Sequence, residues 1–246
     1  MYLQAMKTPL YILAEKKNLP ENQYLDFETL DWINNMSSKY NLDFNEVDVK
    51  TAILIIDSFN RAYEYASKLP LNDSHYVRGA VARASIHGDL HAYRVAITAS
   101  AISNVYPYNE SVIIAGLYHD IARNNDKKDI GHATKSSERA CRLGLIPVVD
   151  RERVVEAIAH HENELLDVQK EELALFIKTA DALDRYRLPK TKWWPDKKLM
   201  QHNTNETIFK ISYWLMLESE LEFIKTNDPK HSIGYALGAI GRRLGL

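Results

Sequence analysis

With 246 residues, 46% hydrophobic and 26% charged, the chain has the make-up of an ordinary globular protein and the length for one sizeable core. A formal charge of −2 sets up no global field toward duplex nucleic acid or an anionic membrane, and the single Cys141 excludes an internal disulfide framework. No apolar run approaches the ~20 residues of a bilayer span, and "MYLQAMKTPLYILAEKKNLP" lacks the pattern of a secretory signal, so a cytoplasmic location is expected.

Helix dominates in chain order. Only 9 Gly and 8 Pro punctuate the sequence, and no Asn-Gly or Asp-Gly signal joins two strands. Periodicity predicts helices over 2–17, 24–39, 46–68, 75–105, 109–122, 132–143, 150–163, 170–187, 206–225 and 232–244. Asp150 before "RERVVEAIAHH" is read as an N-cap and Gly144 after "SSERACRL" as a C-cap. The polar stretches 69–75 and 188–206 are the loop candidates. They divide the chain into an N-terminal helical extension (1–75), a central core (76–190), and a C-terminal loop and helices (191–246) packed on that core.

Within these helices, polar residues sit where apolar ones are expected. His87, His91 and Arg94 in "SIHGDLHAYRV" are spaced to share one helical face, with Gly88 between the histidines. His119 and Asp120 stand directly behind the apolar run 112–118, at the edge of the expected core. His132 opens a helix in "GHATKSSERA". In "VVEAIAHHENE", Val154, Ile158 and His161 fall on the buried face, with His160 about 100° away and within reach of an interhelical groove. Asp181 occupies the Ile177 face of "LFIKTADALDRYR". One such residue is a satisfied core histidine or a capping carboxylate. Together, from five helices, they are costly to bury unless a shared cation pairs them. Imidazole and carboxylate donors suit Mn, Fe, Co, Ni or Zn.

The order His91, His119-Asp120, His132, His160 or His161, Asp181 resembles the HD-domain superfamily of metal-dependent phosphohydrolases. "HGDLHAYRV", "YHDIARNNDKKDIGHA" and "TADALDRYR" are similar to the motifs of one HD group, and the likeness spans about residues 85–187. The tandem His160-His161 is a departure that leaves the ligand open, and the "GYP" that follows "HHE" in cyclic-dinucleotide enzymes is absent.

The resemblance implies an all-α HD-domain helical bundle with additional N- and C-terminal helices. It implies one divalent transition metal held by His91, His119, Asp120 and Asp181. In two-metal members Asp120 would bridge to a second ion on His132 and His160 or His161. Manganese or iron is expected first, then cobalt, nickel, zinc or magnesium. The implied activity is hydrolysis of a phosphoester or phosphoanhydride, in a nucleotide or other small phosphorylated molecule, by metal-activated water.

Arg94 and Arg123, one turn beyond His91 and His119, are expected to join Asp120 as catalytic residues and to stabilise phosphoryl charge. Lys178, Arg185 and His87 are candidate substrate contacts, with His87 alternatively orienting a ligand. For the cations, pairing with Asp126, Asp129 or Asp184 is the alternative. The basic segment 185–198, with Trp193 and Trp194, either grips a nucleobase or single-stranded nucleic acid, or is a loop pinned to the bundle by its tryptophans. The pinned loop is favoured. Rival readings are a di-iron HD-fold oxygenase, a single-strand nuclease, and an inactive nucleotide-binding regulatory module. No membrane partner is expected, and the oligomeric state is not legible.

Overall fold

A computed structural model describes residues 47–83, 85–126, 129–188 and 204–246, with short pieces at 31, 35–37, 39–40, 42, 193–195 and 200. The helix expected over 2–17 and most of that over 24–39 lie outside the described residues, as does most of the 188–206 stretch. The described residues form α-helices and short 3-10 turns, with no strand among them.

The first described helix, α1 (Val49–Ala66), starts where Asp48 accepts a hydrogen bond from the Lys50 amide. The helix expected over 75–105 is broken instead. A short α2 (Ala80–Arg83) is followed by a turn, and α3 (Asp89–Ser103) starts with Gly88 as its N-cap. A Cβ on Gly88 would lie 2.0 Å from the Arg83 carbonyl oxygen, so only glycine allows this close reversal. Arg83 Nε then clasps Asp89 Oδ2 at 2.6 Å across the turn. His87 therefore precedes α3 rather than sharing its face with His91.

Helix α4 (Glu110–Tyr118) is capped by Asn109 and is buried along most of its length. Helix α5 (His132–Arg142) ends as expected, with Gly144 at φ +67° and the Leu145 amide bonding back to Ala140 O. Helix α6 (Arg151–His160) follows Asp150, but the Asp150 side chain caps nothing. It sits at φ +58° and accepts from Ser111 Oγ. Helix α7 (Glu172–Leu183) tightens into a 3-10 turn over Asp184–Arg187. The C-terminal hairpin pairs α8 (Glu206–Thr226) with α9 (Pro229–Arg243). Helix α9 begins three residues before the expected start because Asp228 caps the His231 amide and Pro229 supplies a ready φ at the first turn.

Helix α3 is the axis of the bundle, buried from Asp89 to Ser100. It packs against α1, α4, α7, α8 and α9. The crossing with α4 is close because Gly116 faces Ala96, where a Cβ would come within 2.8 Å of the Ala96 Cα. Helices α5 and α6 close the far side, α6 lying against both α4 and α7. Trp194 is buried against Tyr186 and Tyr213 and donates to Leu188 O, so it pins its segment to the bundle. No helix among the described residues is long and apolar enough to cross a membrane.

Candidate metal centre

The ends of four helices and the first turn of α3 converge on one buried cluster. His91 lies in the first turn of α3, His119 is the C-cap of α4 with Asp120 next to it, and His132 opens α5. His161 is the C-cap of α6, and Asp181 sits in the last turn of α7. The four histidines and Asp120 are buried, whereas the Asp181 side chain is 36% exposed and forms the open edge.

One local device orients three of the four rings. His119, His132 and His161 each donate Nδ1–H to a carbonyl three residues back, on Gly116 (2.7 Å), Asp129 (2.8 Å) and Ile158 (2.7 Å). His119 and His161 are helix C-caps, where carbonyls lack intrahelical partners and are available to accept. The fourth ring, His91, donates Nδ1–H to Asp184 Oδ2 at 2.7 Å. With Nδ1 committed outward, each ring turns an Nε2 lone pair inward, the arrangement a metal ligand needs.

The inward atoms crowd together. His91 Nε2 lies 3.2 Å from His119 Nε2, and His132 Nε2 lies 3.3 Å from His161 Nε2. The Asp120 carboxylate stands between the two pairs. Its Oδ2 is 3.6 Å from both His91 and His119 Nε2, while its Oδ1 is 2.7 Å from His132 and 3.9 Å from His161 Nε2. Asp120 Oδ1 is buried with no well-aligned donor, so its contact with His132 needs a proton or a cation between the atoms. Asp181 Oδ1 lies 3.3 Å from His91 Nε2. Three groups have ligand atoms within 4.8 Å of one another: His87, His91 and Asp120; His91, His119 and Asp181; and His119, Asp120 and His161.

Electrostatics match the geometry. Burial drives the pKa of His119 down to about 3 and lowers that of His161, so both stay neutral, the form that binds metal. Burial alone would raise the Asp120 carboxyl, but the surrounding histidines and Arg123 hold it well below the usual carboxylate range. Burial opposes ionisation of Asp181 in the same way, and His91 and Arg187 outweigh it. His132 is the exception: burial would lower it, yet Asp120 raises it.

The tandem histidines separate. His161 enters the cluster. His160, 42% exposed, turns outward to Glu171 with Nδ1 2.6 Å from Oε1, because one residue of helix rotates the side chain by about 100°. His160 is thus not placed as a ligand. His87 reaches the cluster from the turn before α3, with Nδ1 2.8 Å from Asp120 Oδ2 and its ring edge-on to His91.

Of the cations expected at the groove, Arg123 is there, 15% exposed with Nη1 3.6 Å from Asp120 Oδ1 and 3.1 Å from His132 Nε2. Arg94 is not. It is 2% exposed and buried behind His91, with Nε 2.6 Å from Asp184 Oδ1 and Nη1 2.9 Å from Glu220. The apolar surroundings of α3 carry it inward to the pairing partner Asp184. Lys178 turns to the carbonyls of Asn163 and Glu164, which compete successfully for its ammonium. Arg185 makes none of the contacts that hold the cluster; its neighbour Arg187 does, with Nη2 3.4 Å from His87 Nδ1 and 3.8 Å from Asp181 Oδ1. Arg187 was not foreseen; its three-residue step from Asp184, whose Oδ2 lies 3.4 Å from Arg187 Nη1, was the signal that could have found it. Glu162 was not foreseen either: Oε1 lies 3.0 Å from His132 Nδ1 and Oε2 accepts the Ala133 amide.

Residues 89–186 match the family model of the HD domain. This central segment is an HD domain. The match covers less than half of the chain, and α1, α8 and α9 lie outside it. No curated protein and no solved structure matches the chain. HD domains are in general metal-dependent phosphohydrolases, and the histidines and carboxylates gathered here could hold a divalent metal.

Proposed function

We propose that the chain is a metal-dependent phosphohydrolase that cleaves a phosphoester or phosphoanhydride, in a nucleotide or other small phosphorylated molecule. The observation that carries this reading is the set of four imidazoles whose Nε2 atoms face inward around Asp120. Imidazole nitrogens 3.2–3.3 Å apart need a proton or a cation between them, and a divalent cation would serve both pairs at once.

His91, His119, Asp120 and Asp181 would hold one ion, and His132 and His161, together with Asp120, a second. The donors are nitrogen and oxygen only, a set that suits manganese, iron, cobalt, nickel or zinc; the resemblance puts manganese or iron first. When bound, such an ion supplies Lewis acidity toward phosphoryl oxygens and a water nucleophile at neutral pH. The chain's own groups do the rest. Asp184 and the three carbonyl acceptors hold the rings in place. Asp181 and Glu162, the more exposed carboxylates, mark the mouth through which a substrate enters. Arg123, beside Asp120 and partly open to solvent, stabilises charge that develops on the phosphoryl group.

The test is metal analysis of the purified protein, then a panel of phosphomonoesters, phosphodiesters and nucleotides with His119→Ala and Asp120→Ala as controls. Wild type is expected to hydrolyse at least one class that both variants spare. Equal rates for all three proteins on every member would sink the hydrolase reading. Two irons with oxygen consumption would replace it by the oxygenase reading, which uses the same donor set.

A further inference from the structure

We infer that helix α8, outside the HD-domain match, completes the metal centre: Glu220 and Ser219 hold the Arg94 guanidinium that fixes Asp184 against His91. Glu220 is on this view a positioning residue, two links removed from a metal ligand. The inference rests on the metal-binding reading proposed above.

The chain of contacts is continuous and buried. His91 Nδ1 donates to Asp184 Oδ2 at 2.7 Å. Arg94 grips the same carboxylate in a fork, Nε to Oδ1 at 2.6 Å and Nη2 to Oδ2 at 3.3 Å. Its remaining terminal nitrogen, Nη1, donates to Ser219 Oγ at 3.0 Å and lies 2.9 Å from Glu220 Oε1. Arg187 Nη1 approaches Asp184 Oδ2 at 3.4 Å. Asp184 thus faces two guanidinium groups and an imidazole N–H, and one carboxylate cannot balance both positive charges. Asp181 offsets part of the Arg187 charge from 3.8 Å away, and Glu220, 13% exposed, is the second carboxylate on Arg94.

That balance matters to His91. A carboxylate that accepts Nδ1–H fixes the ring and makes its Nε2 a better donor to a metal. Without the Glu220 charge, the Arg94 guanidinium would keep Asp184 as its one charged partner and draw the carboxylate away from His91. Anchoring α8 does not require Glu220, because other contacts already do it. Glu218 pairs with Arg243 on α9 at 2.6 Å, and Tyr213 stacks edge-on with Tyr186.

The full chain, stripped of metal and titrated with Co2+, tests this through affinity and visible absorption, with the thermal midpoint of the metal-free form recorded for each variant. Glu220→Gln is expected to weaken Co2+ binding about ten-fold and to alter the spectrum, and Asp184→Asn to weaken it by about 10–100-fold. Ser219→Ala shifts affinity in the same direction by less, and carries the test should Glu220→Gln not fold. Glu218→Gln, which breaks a tie of the same helix that does not lead to His91, is expected to bind as wild type. Wild-type affinity and spectrum in both Glu220→Gln and Ser219→Ala would overturn the inference, as would an equal loss in Glu218→Gln. No Co2+ binding by wild type would overturn the metal reading, and this inference with it.

Discussion

His91 and His119 face each other with their Nε2 atoms 3.2 Å apart, while the Nδ1 of each is engaged on the far side, by Asp184 and by the Gly116 carbonyl. Two imidazole nitrogens this close repel unless a proton or a cation lies between them. Divalent metal should therefore stabilise the protein. At a concentration near one hundred times Kd the gain is about 2.7 kcal/mol, or about 5–10 °C in Tm for a chain of this size. Thermal melts with and without Mn2+, Fe2+ or Co2+ check this, and His119→Ala should lose the response. A Tm indifferent to all three ions would count against the centre.

His160 and His161 differ in what they touch, so their variants should part company. His161→Ala removes a donor from the Asp120 Oδ1 side and should lower metal stoichiometry and activity together. His160→Ala breaks a half-exposed contact with Glu171 and should change stability by no more than about 1 kcal/mol, with metal content intact. Metal analysis of the two purified variants decides the matter. Loss of metal in His160→Ala would show that the outward orientation is not the functional one.

Arg123 and Arg94, read alike in the sequence, should fail in opposite ways. Arg123→Ala is expected to lower kcat by about 10²–10³-fold with metal content unchanged, as for removal of one donor to a developing charge. Arg94→Met leaves Glu220 without its cation and Asp184 with Arg187 alone, and should cost about 3–5 kcal/mol of stability. Denaturant unfolding and steady-state kinetics on both variants separate the two. A stable Arg94→Met with only a rate defect would contradict the burial argument.

Gly116→Ala probes how the helices deliver His119. The added methyl would press on the Ala96 Cα at 2.8 Å, where backbone cannot step aside, so α3 and α4 must separate. A loss of about 1–3 kcal/mol is expected in urea unfolding. Weaker metal binding should accompany it, because the Gly116 carbonyl also holds His119 Nδ1. An unchanged midpoint would mean that the crossing has slack.

Helix content, the absence of strand signals and the candidacy of His91, His119, Asp120, His132 and Asp181 were legible without coordinates, because hydrophobic periodicity and misplaced polar side chains are local properties of the chain. Gly144 as a helix stop and His132 as a helix start were likewise readable, each set by its neighbours. Other features depended on residues far apart in sequence. His87 left the helix because the turn at Gly88 must clear the Arg83 carbonyl. Arg94 went inward because Asp184 and Glu220, 90 and 126 positions along, offered carboxylates behind His91. The choice of His161 over His160 turned on where α6 ends against α4 and α7. Spacing names which residues share a face, but pairing and burial choose which of them meet. Those are long-range contacts, and only the folded chain makes them.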